Sequence, residues 1–395
     1  MSSAKDEQGD SRDEPKVTIA TALLMSSFRQ NSRYDQYYRG FAASLPPLTF
    51  TSSDSRSVPS WMTIMASTRL DESLTDILLS KGVHELNLIR AIVSLGEATA
   101  AIAHILHDYT EHTYAGTQNS SGDHQLDLDI ACDEAVFKSI RNSSVFAIAA
   151  SEETPVETDV SPVVFDGPIY SVGFDPLDGS SIIDSNFAVG SIFGIWPGKG
   201  LLGRTGREQV ASVVSLYGPR TTLIIALPSK SRNAEQIGDI TFEVTLVNGH
   251  TIWKVSRNEV ILQPSKKIFA PGNLRATNDN PDYDALVKYW INERYTLRYS
   301  GGMVPDVYHM FAKSGGVFSN VSSIPAPAKL RLLYEVAAIG LLVECAGGET
   351  THETEDVSVL DLVVNDLDRR LGVCFGSKDE VHTYKKFMFK KDNAS

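Results

Sequence analysis

The stretch from Gly173 to Trp196 carries the residue types best suited to chemistry. An apolar run over residues 169–174 predicts a strand, and Asp175-Pro-Leu-Asp178 follows it directly. Two carboxylates three residues apart at the end of a buried strand are costly as bare charges, on the order of several kcal/mol when unpaired. A divalent cation would offset that cost, so the pair indicates an oxygen-rich metal site.

The residues that follow, Gly179, Ser180 and Ser181, offer backbone N–H groups and hydroxyls that could bind an anion such as phosphate. An alternative is equally compatible with the short pattern. Asp, Pro and Gly are common turn formers, so Asp175 to Gly179 is also typical of a plain turn between two strands. The spacing alone leaves both interpretations open.

Two further acidic positions lie in similar settings. Glu152 and Glu153 follow a predicted strand over residues 145–150, and Glu152 would lie near Asp175 if the two strands are neighbours in one sheet. Glu335 interrupts an otherwise apolar helical run, where a carboxylate is either paired or a ligand. A salt bridge to Arg331, one turn earlier, and a metal ligand are both compatible with the pattern.

The elements that must position these acids follow from periodicity. Helical spacing predicts helices within residues 71–106 and 128–140. The turn Gly218-Pro-Arg220 predicts a hairpin between strands 211–217 and 221–227, and the turn Asn248-Gly-His250 predicts another between strands 241–247 and 251–255. After about residue 266 helix and strand alternate, which is typical of a smaller α/β domain. The predicted elements there are strands 268–270, 316–318 and 372–375 and helices 283–293, 306–313 and 330–345. We predict an α/β (α+β) fold with an N-terminal extension over residues 1–66, a domain with a mixed or antiparallel sheet over 67–262 and an α/β domain over 263–395.

Composition narrows the class of partner and compartment. The net charge of −13 argues against nucleic acid, which requires clustered Lys and Arg. No apolar run reaches the ~18 residues of a membrane span, so no membrane partner is expected. The three cysteines, Cys132, Cys345 and Cys374, form no CxxC pair, and the first sixteen residues are acidic, unlike a transit peptide. These features predict a cytoplasmic protein.

Longer strings carry a resemblance to a known family. Asp175-Pro-Leu-Asp-Gly-Ser-Ser181, Lys329-Leu-Arg-Leu-Leu-Tyr-Glu335 and Arg298-Tyr-Ser-Gly-Gly-Met303 resemble the sugar-bisphosphatase family that contains fructose-1,6-bisphosphatase and sedoheptulose-1,7-bisphosphatase. The resemblance covers roughly residues 71–390. It implies a layered α-β-α-β-α sandwich and phosphatase activity that depends on Mg²⁺, with Mn²⁺ as the alternative ion and two or three ions per site. Oxygen-only ligands suit these ions.

The resemblance also implies residue roles. The implied metal ligands are Asp123, Glu152, Asp175, the Leu177 carbonyl, Asp178 and Glu335. Glu153 and Asp129 correspond to the pair that orients and deprotonates the attacking water, and Asp123 lies on a mobile loop that completes the metal cluster. The implied substrate contacts are Gly179, Ser180, Ser181, Asn273, Arg298, Tyr299, Gly301, Met303, Lys329 and Arg331.

The strings Gly301-Gly-Met-Val-Pro-Asp306 and Ser180-Ser-Ile-Ile-Asp-Ser-Asn-Phe187, together with Asn320, resemble the sedoheptulose branch of the family. The predicted activity is therefore hydrolysis of the 1-phosphate of sedoheptulose 1,7-bisphosphate. A fructose-1,6-bisphosphatase, or an enzyme acting on both sugars, is the first alternative, and a non-catalytic sugar-phosphate sensor is the second. In the family, the counterpart of Arg298 reaches the neighbouring subunit's site, which implies a homodimer or larger homo-oligomer.

Overall fold

The computed structural model describes residues 73–109, 127–162, 164, 166–232, 238–247 and 252–389, and the backbone of 114–118 and 124–126. The predicted N-terminal extension and Asp123 lie outside these residues. Everything described belongs to one unit of the chain, Thr68–Ser395. The domain boundary predicted at residue 262 stays a prediction.

Local sequence signals account for several helix starts. Ser73 and Asp76 form a reciprocal capping box at the first helix, and Asn280 caps a helix that has Pro281 at its first position. The long helix Leu86–Asp108 is capped by Glu85, whose carboxylate accepts from the backbone N–H groups of Asn87 and Leu88. The helices are α1 (Leu74–Ser80), α2 (Leu86–Asp108), α3 (Asp127–Ser143), α4 (Pro281–Asn292), α5 (Met303–Lys313), α6 (Ala337–Cys345) and α7 (Lys378–Met388).

An eight-stranded sheet forms the centre of the first part of the chain. Its strands are β3 (Phe146–Ser151), β4 (Thr158–Asp159), β5 (Tyr170–Asp178), β6 (Val189–Pro197), β7 (Ala211–Tyr217), β8 (Thr221–Leu227), β9 (Ile240–Val247) and β10 (Ile252–Arg257). They lie in the order β10-β9-β8-β7-β6-β5-β3-β4, and within this sheet only β3 and β5 pair in parallel. The predicted antiparallel hairpins are confirmed. A separate two-stranded pair joins β1 (Tyr114–Gln118) and β2 (His124–Leu126).

A five-stranded sheet forms the second part. Its strands are β11 (Ile268–Pro271), β12 (Thr296–Leu297), β13 (Val317–Asn320), β15 (Glu349–His352) and β17 (Val373–Gly376), in the order β12-β11-β13-β17-β15. The first three are parallel to one another, and β17 is antiparallel to both neighbours. A short pair, β14 (Leu330–Arg331) with β16 (Arg370–Leu371), lies apart from this sheet.

Three hydrophobic cores hold these layers together. Helices α1, α2 and α3 pack on one face of the eight-stranded sheet, in a core that contains Phe174 and Phe193. Helices α5 and α6 pack between the other face and the five-stranded sheet, which contributes Phe318 and Phe375. Helices α4 and α7 cover the remaining face of the smaller sheet around Phe269. The layers therefore follow the order α-β-α-β-α, as predicted.

Two predicted boundaries differ from the structure. The strand expected to end at Phe174 continues through Asp178, because the chain keeps pairing with β6 across a register shift. The helix predicted over residues 330–345 is divided. Leu330 and Arg331 form β14, Leu332–Val336 form a π-helical turn, and α6 begins only at Ala337.

Helix α2 is long and apolar enough, by length and composition alone, to cross a membrane. Within its most apolar 18-residue window, 61% is buried inside the protein. Its buried side chains include Leu88, Ile92 and Leu95, which contribute to the core under the eight-stranded sheet. This burial accounts for the apolar composition of α2, because a helix that is packed on several sides needs apolar residues there.

Candidate active site

The parallel pairing of β3 and β5 brings two of the predicted acids together. Ser151 is opposite Phe174, and the backbone N–H of Glu152 donates to the Phe174 carbonyl at 3.0 Å. Parallel neighbours end at the same edge of a sheet, so Glu152 and Asp175 emerge side by side. Their predicted proximity is confirmed.

A β-bulge sets the direction of the Asp175 and Asp178 side chains. Asp175 pairs with Ile192 and Asp178 pairs with Gly190, so three steps of β5 match two steps of β6. The extra residue lies within Asp-Pro-Leu-Asp, where Asp175 Oδ1 accepts from the Leu177 N–H at 2.9 Å. Bulges are common next to active sites because they redirect a side chain. Both carboxylates are buried, at 4% and 9% exposure.

Glu335 reaches the same edge from a distant part of the chain. It lies in the π-helical turn Leu332–Val336, which packs directly on β5. A Cβ placed on Gly173 would lie 2.9 Å from Leu333 Cγ, so only glycine permits this approach. One carboxylate oxygen from each of Glu152, Asp175 and Glu335 lies within 4.8 Å of the other two. We call these three residues the acid cluster.

The acid cluster is electrostatically unfavourable without a counter-ion. Burial raises the pKa of Asp175 and of Glu335 well above the usual range for a carboxyl, and the negative charge of Glu152 adds to both shifts. Hydrogen bonds from Leu177 N–H to Asp175 and from Arg331 N–H to Glu335 at 2.5 Å oppose the shifts without cancelling them. The site therefore favours positive charge.

Arg331 supplies part of that charge. Its side chain is 5% exposed, and its guanidinium forms ion pairs with Glu152 and, at 2.7 Å from Nε, with Asp368 Oδ1. Arg331 lies in β14 and not on one helix with Glu335; it donates its backbone N–H to the Glu335 carboxylate, and its positive charge also opposes the rise in the pKa of Glu335. The predicted contact of Arg331 with substrate stays a prediction.

Asp178 lies beside the acid cluster but has its own donors. Its two oxygens accept from the backbone N–H groups of Met303, at 3.2 Å, and Val304, at 2.6 Å, at the start of α5. Gly190, opposite Asp178 in β6, has Val304 packed against its Cα, so a side chain there would block this approach. The position of Met303 is thus set by a contact with Asp178. Burial raises the pKa of Asp178 to about 7, because desolvation outweighs the two N–H donors.

The two predicted water-activating acids lie on adjacent elements. Asp129 is in the first turn of α3 and is buried, and Glu153 directly follows Glu152 and is half-buried. Helix α3, which carries Asp129, packs on β5, which carries Asp175, and on β3, which ends directly before Glu152. The structure therefore brings Asp129 to the neighbourhood of the acid cluster. Whether the Leu177 carbonyl is a ligand stays a prediction.

The predicted phosphate-binding residues form a short turn next to the acid cluster. Gly179 has a left-handed backbone with φ +89°, and Ser180–Ser185 continue as a 3₁₀ turn. A Cβ on Gly179 would lie 3.4 Å from the Gly302 Cα, and one on Gly301 would lie 3.2 Å from Ile182 Cγ2. The structure thus brings the segment at Gly179, Ser180 and Ser181 against the segment at Gly301.

Asn273, Arg298 and Tyr299, three of the remaining predicted substrate contacts, follow parallel strands of the smaller sheet, and Lys329 directly precedes β14. Asn273 is buried and its Nδ2 donates to the carbonyls of Val321 and Ala326 at 2.9 and 2.8 Å. Tyr299 donates through its hydroxyl to the Gly272 carbonyl at 3.0 Å and is 49% exposed. Arg298 and Lys329 are exposed. Tyr299 therefore contacts the residue directly before Asn273.

The donor set fits a divalent cation. The converging atoms are all carboxylate oxygens, which Mg²⁺ and Mn²⁺ prefer, and two of the three carboxylates are almost wholly buried. The guanidinium of Arg331 pairs with Asp368 as well as with Glu152, so its single positive charge does not neutralise the three carboxylates of the acid cluster. Glu152, Asp175 and Glu335 are the residues that would hold such an ion.

Two family models match the chain. The N-terminal domain of fructose-1-6-bisphosphatase matches residues 73–233, and the C-terminal domain matches residues 262–389. The chain belongs to the fructose-1,6-bisphosphatase family. Members of this family are sugar phosphatases and depend on metal ions in general.

Individual relatives agree with this assignment. The chain is 44% identical over 322 residues to the chloroplastic sedoheptulose-1,7-bisphosphatase of Triticum aestivum, covering 81% of this chain and 77% of the relative. It is 35% identical over 322 residues to the class 1 fructose-1,6-bisphosphatase of Geobacter metallireducens, covering 81% and 96%. A crystal structure from Toxoplasma gondii, provisionally assigned as a sedoheptulose-1,7 bisphosphatase, has a TM-score of 0.72 and 37% identity and covers 80% of this chain and 98% of its own.

Sequence reasoning missed two residues that organise this fructose-1,6-bisphosphatase-family site. Asp368 pairs with Arg331, and Asp306 accepts from the backbone N–H groups of Ser300 at 2.6 Å and Gly301 at 3.3 Å. The position of Asp306 in the first turn of a helix could have predicted its role, since an acid there commonly accepts from free backbone N–H groups. No local pattern could have predicted the role of Asp368, because its partner, Arg331, is 37 residues away in the sequence.

Proposed function

We propose that this chain hydrolyses the 1-phosphate of sedoheptulose 1,7-bisphosphate, producing sedoheptulose 7-phosphate and inorganic phosphate. The observation that carries the proposal is the acid cluster, formed by three acids from separate parts of the chain in a protein 44% identical to a curated sedoheptulose-1,7-bisphosphatase. The reaction is the transfer of a phosphoryl group to water. The bond between phosphorus and the sugar oxygen breaks as water bonds to phosphorus.

Each group of residues at the site has its own role in this hydrolysis. A divalent cation held by the acid cluster would supply positive charge to the phosphate oxygens and lower the pKa of the attacking water. Glu153 and Asp129 accept the proton of that water and orient it towards phosphorus. The N–H groups and hydroxyls of Gly179, Ser180 and Ser181 hold the non-reacting phosphate oxygens. We propose Mg²⁺, with Mn²⁺ as a substitute, at two or three ions per site.

A second candidate substrate is fructose 1,6-bisphosphate. The observation in its favour is 35% identity to a class 1 fructose-1,6-bisphosphatase along nearly all of that relative. Release of phosphate from each bisphosphate, with Mg²⁺ and with EDTA, tests both candidates. We expect the larger kcat/KM for the seven-carbon sugar and no turnover in EDTA. A much larger kcat/KM for the six-carbon sugar would contradict our choice of substrate, and turnover of neither would favour a non-catalytic sensor.

We propose that the protein acts as a homodimer or larger homo-oligomer in which Arg298 reaches the site of the neighbouring subunit. Arg298 and Tyr299 are exposed, and the adjacent Leu297 is 51% exposed on the edge strand β12. An edge strand such as β12 has one side that is not paired within its sheet, and backbone N–H and C=O groups on such a side can pair with another chain.

We also propose a cytoplasmic location. Cys132, Cys345 and Cys374 are all free thiols, as expected for a reducing compartment. Fractionation of cells with an antibody to the protein tests this directly.

A further inference from the structure

A fully buried carboxylate on β9 takes no part in the proposed chemistry. Glu243 has 0% exposure, and its partners come from β10 and α5. Its Oε1 accepts from the Ser256 hydroxyl at 2.5 Å, and its Oε2 accepts from the Tyr308 hydroxyl at 2.6 Å. Arg257 forms an ion pair with Oε2 at 3.4 Å. A buried carboxylate is costly unless it is paired and hydrogen-bonded, so these partners are held in fixed positions around it.

The surroundings of Glu243 fix helix α5 at two points. In the middle of α5, the Tyr308 hydroxyl donates to Glu243 and lies 2.6 Å from Thr222 Oγ1 of β8, which can donate to it. In the last turn of α5, the Phe311 carbonyl accepts from Arg257 Nη1 at 3.0 Å, while Nη2 of the same guanidinium pairs with Glu243. Apolar packing is non-directional, whereas these directional bonds specify where α5 lies along its own axis against the eight-stranded sheet.

The other end of α5 holds a predicted metal ligand. The backbone N–H groups of Met303 and Val304 donate to Asp178 at 3.2 and 2.6 Å, and Tyr308 lies one helical turn after Val304. Because a helical turn is a hydrogen-bonded unit, a shift of Tyr308 along the axis of α5 moves both N–H groups relative to Asp178. Hydrogen bonds weaken steeply with distance and angle, so the orientation of the Asp178 carboxylate depends on where α5 lies.

We propose that Glu243 and Tyr308 are positioning residues for the metal site, because they fix the axial position of α5 and so direct the Met303 and Val304 N–H groups to Asp178. This inference rests on the proposed function, which includes a divalent cation at the acid cluster next to Asp178. Groups that orient a metal ligand directly change metal affinity by about 10- to 100-fold when they are removed. Tyr308 acts through a helical turn, so the expected effect of its loss is at the lower end of this range or below it.

The test compares Tyr308→Phe with a matched control, Tyr384→Phe. Tyr384 is also fully buried, and its hydroxyl donates to the Glu353 carbonyl at 3.1 Å from α7, on the opposite face of the smaller sheet from α5. Both substitutions remove one hydroxyl from a buried tyrosine, so both are expected to lower the melting temperature. Calorimetric titration with Mg²⁺ should show about five- to tenfold weaker binding in Tyr308→Phe and a change below about twofold in Tyr384→Phe.

A double substitution tests whether the effect passes through Asp178. We expect Tyr308→Phe to weaken Mg²⁺ binding by less than about twofold in an Asp178→Asn background, since two changes that act through one group are not additive. An equal factor in both backgrounds would overturn the route through Asp178. Equal Mg²⁺ affinity in Tyr308→Phe and Tyr384→Phe would overturn the inference as a whole, and this comparison decides alone if Asp178→Asn binds too little Mg²⁺ to measure.

Thr222→Val covers the case in which Tyr308→Phe does not fold. It keeps the shape of the side chain and removes one hydrogen-bond partner of the Tyr308 hydroxyl. We expect Mg²⁺ binding about threefold weaker than in the wild type, because the hydroxyl is then held by Glu243 alone among its two partners. Unchanged Mg²⁺ binding in Thr222→Val would then overturn the inference.

Failure of the proposed function has a different signature. Mg²⁺ binding is measured without turnover, so a wild type that binds Mg²⁺ but hydrolyses neither bisphosphate would contradict the proposed function and leave this test in place. A wild type that binds no Mg²⁺ would overturn this inference together with the proposed cation.

Discussion

Glu153 and the acid cluster have different tasks although they share one edge of the sheet. One carboxylate oxygen from each of Glu152, Asp175 and Glu335 lies within 4.8 Å of the other two, an arrangement that suits a cation. Glu153 directly follows Glu152 in the sequence and is half-buried. Glu153 is the carboxylate that we propose takes a proton from water. Substitution at Glu153 therefore separates proton transfer from metal binding.

We expect Glu153→Gln to lower kcat by about 10²- to 10⁴-fold while the substrate still binds, since glutamine keeps the shape but removes the base. Steady-state kinetics and calorimetric binding of the bisphosphate measure the two effects. Glu134→Gln, at an exposed position on α3, is the control and should retain wild-type kcat. Wild-type turnover in Glu153→Gln would remove this residue from the mechanism.

Asp178 makes the stability of the metal-free protein depend on pH. Its pKa is raised to about 7 in the folded protein from about 3.8. The folded state thus holds a proton that the unfolded chain releases as the pH rises through about 4. Stability is therefore lost as the pH rises towards 7, because the folded state binds more protons in this range.

In EDTA, we expect the melting temperature of the wild type to fall more between pH 5 and pH 8 than that of Asp178→Asn, whose amide does not titrate. Saturating Mg²⁺ should reduce the fall in the wild type, since a ligand that binds only the folded state stabilises it. Scanning calorimetry at the two pH values, with and without Mg²⁺, measures both effects. An equal fall in the two proteins would mean that Asp178 does not cause it.

At the scale of elements, the close contact between β5 and the π-helical turn determines where Glu335 lies. The contact depends on Gly173, whose hypothetical Cβ would lie 2.9 Å from Leu333. We expect Gly173→Ala to lower the free energy of unfolding by about 1–3 kcal/mol and to reduce the affinity for Mg²⁺, because the turn must move away from β5. Gly218→Ala is the control, since its Cβ would meet only Ala188 at 3.5 Å. Wild-type unfolding and Mg²⁺ affinity in Gly173→Ala would argue against this account.

The segment before α5 depends in a similar way on Asp306. Its carboxylate accepts from the N–H groups of Ser300 and Gly301, and so holds the chain next to Tyr299 in place. We expect Asp306→Asn to raise KM about tenfold with a smaller change in kcat, because the amide keeps only part of this bonding. Asp284→Asn, in the first turn of α4, is the control. A fall in kcat with unchanged KM would contradict a role in substrate binding.

At the scale of the whole molecule, the proposed oligomer makes each site depend on two subunits. Mixing Arg298→Ala with Glu335→Gln tests this by complementation. If Arg298 acts in the neighbouring site, a mixed dimer contains one site with both native residues. We expect each variant alone to be nearly inactive and the mixture, after subunit exchange, to recover up to about a quarter of wild-type activity.

No recovery in the mixture, with exchange shown by native mass spectrometry, would mean that Arg298 acts within its own subunit. Leu297→Asp provides a second measurement. We expect it to shift the oligomer towards monomer in sedimentation experiments, because a charge on the exposed edge of β12 opposes burial there.

The amino-acid sequence by itself determined which acids could serve chemistry, the antiparallel hairpins and the family, and through the family resemblance the layered fold. These depend on local patterns: short apolar runs on either side of a turn signal in β7 and β8, helical spacing in α2 and α3, and a long motif around Asp175. It also suggested that Glu152 and Asp175 are neighbours, because both follow predicted strands.

The tertiary structure alone decided the bulge in β5, the π-helical turn at Glu335 and the contact of Asp178 with the start of α5. Each of these depends on a partner more than ten residues away in sequence: β6 for the bulge, β5 for the turn, and Val304 for Asp178. Propensity describes a segment and its near neighbours, whereas register and close approach are set by packing between distant segments. For that reason the apolar run at residues 330–345 reads as one continuous helix, although packing divides it into a strand, a turn and α6.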